Sequence, residues 1–384
     1  MNKPKIAVLI DWYLPGTRAG GPVRSVYSLV NLLKNDFDFY IITTNKDLGS
    51  EQQYSGVDAD TLLYKDSVHY YYFSSGRLNS ENMIGLFHKI NPNLIYLNSF
   101  WSYSFSINIV RLKNKGLINQ PILLAPRGML GKGALGLKSF KKSAFIFIAQ
   151  ILNSYKKIIF HATQKQEESD ILSKFMHSKI LVAPNVNSSP VMRNKVIKTV
   201  NHLKLFYLSR VARVKNLHYA IELLASIPSQ YNVEYDVFGN REDADYWNFC
   251  KELIAKLPAH IKVSYKQDLP FDEVQGVICN YHCLLLPTLN ENYGHSIVES
   301  LLCGCPAIIS DQTPWSDLNE SGAGFTIALN AKPLFIDAIV YYASMNQDDF
   351  SLKSEKAINY ISNKIDLGQI SNQYKILFND CIKN

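Results

Sequence analysis

The chain lacks cysteine over its first 249 residues, lacks any run of 18 apolar residues, and lacks an acidic side chain between Glu81 and Glu167. The cysteines that do occur, Cys250, Cys279, Cys283, Cys303, Cys305 and Cys381, repeat no metal-ligand spacing. They read as small apolar side chains for packing, not as a zinc site or disulfide framework. Without a long apolar run no helix can span a bilayer, and the opening apolar stretch stops at Asp11, too soon for the core of a signal peptide. The expected location is cytoplasmic. Charge is also scarce, at 19% of residues, while 47% are hydrophobic; 384 residues of this composition suggest two folded domains with sizeable cores.

The missing carboxylates skew the charge. Residues 1–190 hold 22 Lys/Arg against 12 Asp/Glu, a net +10, whereas 191–384 hold 18 against 21, a net −3. A one-sided basic half points to an anionic partner. Within it, Lys138, Lys141 and Lys142 precede a broad apolar run that ends at Lys156 and Lys157. That composition suits either a buried helix with basic ends or a helix lying at a membrane interface. Arg111, Lys113, Lys115, Arg127, Lys132, Lys141 and Lys142 are expected to make the surface of the first half positive.

Short apolar runs alternate with segments of helical period throughout. Strands are expected at 5–11, 37–44, 69–73, 94–98, 122–126, 158–162 and 180–182, then at 203–208, 234–238, 261–266, 283–287, 306–311 and 324–327. Helices are expected between them, for example at 23–34, 102–115, 164–175, 216–227, 243–256 and 294–303, with three more after residue 332. Alternation of this kind builds parallel sheets covered on both faces. The pattern lapses near Pro184-Asn-Val-Asn-Ser-Ser-Pro, so we read domains at 1–183 and 204–365, a linker at 184–203, and a terminal segment at 366–384. In such sheets ligands bind outside the carboxyl ends of the strands, and two domains facing each other would enclose a cleft.

The densest chemistry lies in Pro287-Thr-Leu-Asn-Glu-Asn-Tyr-Gly-His-Ser-Ile-Val-Glu-Ser-Leu-Leu-Cys-Gly-Cys-Pro, where a strand ends, a loop turns at Gly294 and a helix begins. A helix start favours anionic or hydroxyl-rich ligands, and carboxylates such as Glu291 and Glu299 accept hydrogen bonds from vicinal hydroxyls. Together they suit a sugar and a ribose.

This cluster resembles glycosyltransferase family 4, nucleotide-sugar-dependent retaining enzymes of GT-B fold, whose mark is two glutamates separated by seven residues, as Glu291 and Glu299 are. Ser-Arg-Val-Ala-Arg-Val-Lys-Asn-Leu, after the strand ending at Leu208, resembles the family's Arg and Lys loop, and Gly20-Gly21-Pro22-Val23-Arg24 its glycine loop. The resemblance implies two doubly wound Rossmann-like domains, with the terminal helix returning to the first. The first would bind the acceptor and the second the nucleotide sugar. It implies that Arg210 and Lys215 hold the donor diphosphate, that Gly20 and Gly21 let backbone approach the phosphates, that Glu299 holds the ribose, and that Glu291 holds the transferred sugar. Tyr293, Gly294, His295 and Ser296 would complete the donor pocket, with Arg210, Lys215 and Glu291 the catalytic set.

Pro126-Arg127-Gly128-Met129-Leu130 and His161-Ala162-Thr163 also recur in that family; Asp11, Trp101, Arg127 and His161 are the acceptor-side candidates. Where many members carry a histidine after the fourth strand of the first domain, this chain has Asn98-Ser99-Phe100-Trp101. No general base is evident; the resemblance implies a same-face displacement in which the leaving phosphate takes the acceptor proton.

The implied reaction moves a hexosyl group from a UDP or GDP sugar to a saccharide or lipid-linked saccharide, in cell-surface polysaccharide synthesis. No metal, other cofactor or nucleic-acid partner is expected, and attachment would be peripheral, at the inner face of the membrane. Two alternatives stay open: a nucleotide-sugar epimerase of the same fold, and a non-catalytic membrane-associated binding protein. Gly131-Lys-Gly133-Ala-Leu-Gly136 spells a dinucleotide fingerprint but is followed by no acid until Glu167. The acidic pairs Asp36/Asp38, Asp58/Asp60 and Asp243/Asp245 match a short metal motif without following a buried strand directly.

Overall fold

Strands such as Leu94–Leu97 are apolar at every position, and all four residues are buried, as expected where helices cover both faces of a parallel sheet. The computed structural model describes residues 3–131, 139–176, 178–186, 196–241, 243–270 and 273–383. Residues 132–136 of the fingerprint, Lys132 among them, and residues 187–195 of the expected linker lie outside the described residues. The chain divides into two compact units, Met1–Val186 with Leu367–Asn384, and Asn187–Asp366.

The first unit is built on β1 (Lys5–Leu9), β2 (Asp38–Thr44), β3 (Leu62–Lys65), β4 (Val68–Phe73), β5 (Leu94–Leu97), β6 (Ile122–Leu124), β7 (Ile159–Ala162) and β8 (Lys179–Val182). Their order is β3-β4-β2-β1-β5-β6-β7-β8. All neighbours are parallel except β3 and β4. The β3 strand departs from the sequence expectation: it is a half-exposed edge strand, joined to β4 through Asp66 and Ser67, both at positive φ. Such a turn joins tight hairpins, but Asp-Ser is not its usual Asn-Gly signal.

The second unit carries β9 (His202–Leu208), β10 (Asn232–Phe238), β11 (Ile261–Gln267), β12 (Cys283–Leu286), β13 (Ala307–Ser310) and β14 (Gly324–Ile327). Their order is β11-β10-β9-β12-β13-β14, parallel throughout.

Helix Leu367–Ile382 belongs to the first unit, as the resemblance implies. Ile370, Tyr374, Leu377, Phe378 and Cys381 recur at helical spacing and all are buried. The Phe378 ring lies edge-on to Phe37 at 5.4 Å and to Tyr96 at 5.7 Å, while Lys375 pairs with Asp36 at 2.8 Å. The expected helix at 102–115 begins as a π-helical turn, Tyr103–Ile107, before Asn108–Asn114.

Candidate functional site

In the second unit successive strands run outward from β9 to β11 on one side and from β12 to β14 on the other. A crevice opens at the carboxyl ends where such an order reverses, because the two connections leave in opposite directions. Loops 209–216 and 287–294 flank it and carry Arg210, Lys215 and Glu291. The sheet brings two of these together: Lys215 Nζ donates to Glu291 Oε1 at 2.5 Å and approaches the Asn290 carbonyl at 3.5 Å. Their side chains are only 11% and 13% exposed, so each charge depends on the other for compensation.

Both loops are fixed by hydrogen bonds to their backbone. Buried Tyr207 donates its hydroxyl to the Arg210 carbonyl at 2.8 Å. Arg213–Lys215 forms a single 3-10 turn, after which Asn216 takes a left-handed φ of 60° and donates Nδ2 to the Pro287 carbonyl at 2.9 Å. The Val214 carbonyl accepts from Leu289 N at 2.8 Å and Thr288 Oγ1 at 3.1 Å, and Glu291 N donates to Gln312 O at 3.0 Å. Gly239, at φ 139°, ends β10 against the Arg210 loop; a Cβ there would stand 1.9 Å from the Ser209 carbonyl oxygen. Only glycine permits that approach.

The helix His295–Leu302 starts from Gly294 at φ 81° with no side-chain cap. A helix start of this kind presents backbone N–H groups along its axis, the arrangement that favours anions and hydroxyls. Ser296 and Glu299 lie on its first two turns and are buried. Ahead of it, the Tyr293 carbonyl accepts from Trp315 Nε1 at 2.6 Å, and the Tyr293 ring sits 5.0 Å from His295. Hydrogen bonding to Cys279 and burial push the Cys303 thiol up, so it stays protonated in the core beside this helix.

In the first unit the order reverses between β1 and β5, and the loops there carry Asp11, Gly20 and Trp101. Asp11 accepts from Ser102 Oγ at 2.6 Å; burial pushes its carboxyl above the usual range, and the Ser102 bond only partly offsets this. Gly20, at φ 65°, leads into helix Gly21–Leu33. The loop before it is held by Asp47 Oδ2, which accepts from Thr17 N at 3.0 Å and Arg18 N at 3.3 Å. Trp101 packs edge-on to Phe100 and donates Nε1 to the Met129 carbonyl at 3.3 Å.

Two of the acceptor-side candidates, His161 and Arg127, have internal partners. His161 is fully buried, its Nε2 2.9 Å from the Ala183 carbonyl and its Nδ1 2.8 Å from the Tyr96 hydroxyl. A carbonyl can only accept, so Nε2 carries the proton and both nitrogens are used internally. Arg127 donates Nη2 to Tyr96 and Asn98 at 3.0 and 2.7 Å and Nη1 to Asn185 at 2.5 Å. These residues tie strand ends together inside the first unit. The acidic pairs are likewise structural where bonded: Asp243 caps helix Ala244–Ile254, and Asp60 accepts from Ser74 N at 3.1 Å.

Residues that sequence reading overlooked are Tyr207, Gly239, Gln312 and Trp315. Gln312 and Trp315 had a signal in Asp311-Gln-Thr-Pro-Trp, because β13 pairs with β12 and its following loop must lie beside 287–294.

Two doubly wound α/β units with the last helix returned to the first define the GT-B glycosyltransferase fold, and solved structures of that fold match the chain over nearly its whole length. Anabaena HepE in complex with UDP and glucose has a TM-score of 0.71 at 15% identity, covering 98% of this chain and 100% of that one. S. aureus TarM, in complex with fondaparinux, α-GlcNAc-glycerol and UDP, has a TM-score of 0.72 at 12% identity, covering 98% and 100%. Sucrose-phosphate synthase from Thermosynechococcus elongatus has a TM-score of 0.70 at 13% identity, covering 98% and 99%. At these identities the likeness is one of fold. Residues 189–359 match the family model described as glycosyl transferases group 1, so the second unit carries a domain of that group. No curated protein sequence matches the chain.

Proposed function

We propose that this protein is a retaining glycosyltransferase of the family 4 type, which moves a hexosyl group from a UDP or GDP sugar to a saccharide or lipid-linked saccharide in cell-surface polysaccharide synthesis. The observation that carries the reading is the largely buried Lys215–Glu291 pair, set at the switch point of the second unit, with Glu299 eight residues on. HepE is named as a complex with UDP and glucose and TarM as one with UDP, which supports a uridine donor over a guanosine one.

Cleavage of the sugar–phosphate bond leaves added negative charge on the diphosphate. Arg210 and Lys215 supply fixed cations there, whose effect is largest in the transition state, when that charge develops. Glu291 holds Lys215 in place and accepts from sugar hydroxyls, with N–H groups at Gly294 and His295 beside it. Glu299 accepts from the ribose, and Tyr293 and Ser296 shape the pocket. Gly20 and Gly21 provide close backbone approach to phosphate, and Asp11 and Trp101 are the acceptor-side residues. No metal or other cofactor is part of the reading. The protein works in the cytoplasm, peripherally at the membrane when the acceptor is lipid-linked.

Incubation with UDP and GDP sugars and saccharide acceptors tests this, with the product anomer read by NMR. Transfer with retention is expected. An inverted product removes the retaining mechanism, an epimerised nucleotide sugar favours an epimerase, and nucleotide binding without turnover favours a binding protein.

A further inference from the structure

Helix Ser139–Ile151 buries one side in the first unit: Ile146 and Ala149 are each 5% exposed, and Phe145 lies 5.5 Å from Trp101. Its other side is just as apolar and is bare. Phe140 is 87% exposed, Phe147 62%, Ile148 55% and Ile151 63%, and Leu152, which follows directly, 67%. At 3.6 residues per turn, positions 140, 147, 148 and 151 share one face. Large side chains contiguous on a surface mark a place where another apolar phase docks.

The rim of this face names the phase. Lys141, Lys156 and Lys157 are exposed around it. The chain after the helix is tied to the next basic segment, because Asn114 Nδ2 donates to the Ser154 carbonyl at 2.8 Å. Burial lowers the Lys113 pKa, and the nearby charge of Lys157 adds to the effect, so the two ammonium groups crowd one corner. Arg111 and Lys115 lie on the same segment, and no acidic residue occurs from 82 to 166. A second copy is a poor occupant, since a self-complementary twofold contact would bring this cationic rim against another cationic rim. Apolar side chains ringed by cations match acyl chains beneath anionic headgroups.

We propose that this face is a membrane-docking surface: helix Ser139–Ile151 lies in the plane of an anionic bilayer, its apolar side among the acyl chains and Lys141, Lys156 and Lys157 at the lipid phosphates. This deepens the lipid-linked part of the reading above. It stands, however, on binding measured without any sugar.

The test is sedimentation of the full chain with phosphatidylcholine vesicles, with and without phosphatidylglycerol. Binding should require the anionic lipid and fall as salt rises, because cation–headgroup attraction is screened. Ile148→Ser with Ile151→Ser should weaken it by about tenfold or more while leaving the thermal midpoint and nucleoside diphosphate affinity unchanged, as both side chains face solvent. Lys156→Gln with Lys157→Gln should weaken it and flatten its salt dependence. No binding to anionic vesicles at low salt overturns the proposal, as does equal binding by the serine variant. A concentration-dependent dimer that the serine variant dissolves also overturns it, assigning the face to self-association. Because nucleotide affinity is read separately, failure here leaves the transferase reading standing, and the reverse holds too.

Discussion

The resemblance gives Lys215 to the diphosphate and Glu291 to the sugar, which implies separable roles; their 2.5 Å contact couples them instead. Before donor arrives, the ammonium is held and compensated by a carboxylate in a largely buried setting. Removing that carboxylate leaves a cation seeking an anion, and a diphosphate is one. Glu291→Gln should therefore tighten binding of the bare nucleoside diphosphate several-fold while lowering turnover. Lys215→Ala and Arg210→Ala should weaken binding and reduce turnover by on the order of 100-fold, the scale for one preorganised electrostatic group. Glu299→Gln should weaken nucleotide binding alone among the two acids. Calorimetric titration of the four variants checks this; unchanged affinity in Glu291→Gln would mean that Lys215 is not a partner of the diphosphate.

At the scale of elements, loops on neighbouring strands hold the site, and their shape depends on positions remote from chemistry. Gly239 ends β10, yet its missing side chain is what lets the Arg210 loop follow its path past the Ser209 carbonyl. Gly239→Ala introduces both a forbidden contact and a φ that L side chains rarely adopt, at a cost of about 3 kcal/mol. The variant should unfold at lower denaturant concentration and weaken donor binding through the Arg210 loop that it displaces. Chemical denaturation followed by Trp247 and Trp315 fluorescence, with Trp12 and Trp101 replaced by Phe, reads the second unit, and an unshifted midpoint would show that the loop relaxes without strain. The strand ends and helix starts around this site were legible in the sequence, because apolar runs and the Gly294 turn mark them. The β3 edge strand was not, because half-exposed Leu62, Leu63, Tyr64 and Lys65 have no buried face to write a pattern.

On the scale of the whole molecule, each unit buries a neutral histidine. Burial, with the Arg127 charge next, lowers the His161 pKa to about 3, and burial lowers His282 to about 4. Each has a folded pKa below its unfolded value near 6.5, so between these values the unfolded state binds more protons. Stability contributed by the neutral ring is complete above pH 6.5 and is lost as pH falls toward 3 or 4, by up to about 1.4 kcal/mol per pH unit for each histidine. Denaturation at pH 7.5, 6.5 and 5.5, values spanning the reference histidine pKa of about 6.5, should show both units weakening only below it. Replacement of His161 by Gln should remove the slope of the first unit and leave that of the second; a slope unchanged in both would assign the acid sensitivity elsewhere.

The sequence by itself determined the class of fold and the positions of the second unit's charged residues along it. Strand and helix periods are local, and Arg210, Lys215, Glu291 and Glu299 sit at fixed offsets from strand ends that those periods reveal. It also placed the terminal helix's apolar face, since Tyr374 and Phe378 repeat at one turn. What only the tertiary structure decided were relations between distant segments. Lys215 and Glu291 are 76 residues apart and meet because β9 and β12 are neighbours. His161 reads as a polar residue at a strand end, yet β7 lies inside the sheet and the ring spends both nitrogens on Tyr96 and Ala183. Helix Ser139–Ile151 is apolar around most of its circumference, and periodicity cannot tell which part the protein will cover. Only the packing of Ile146 and Ala149 left Phe147, Ile148 and Ile151 facing outward.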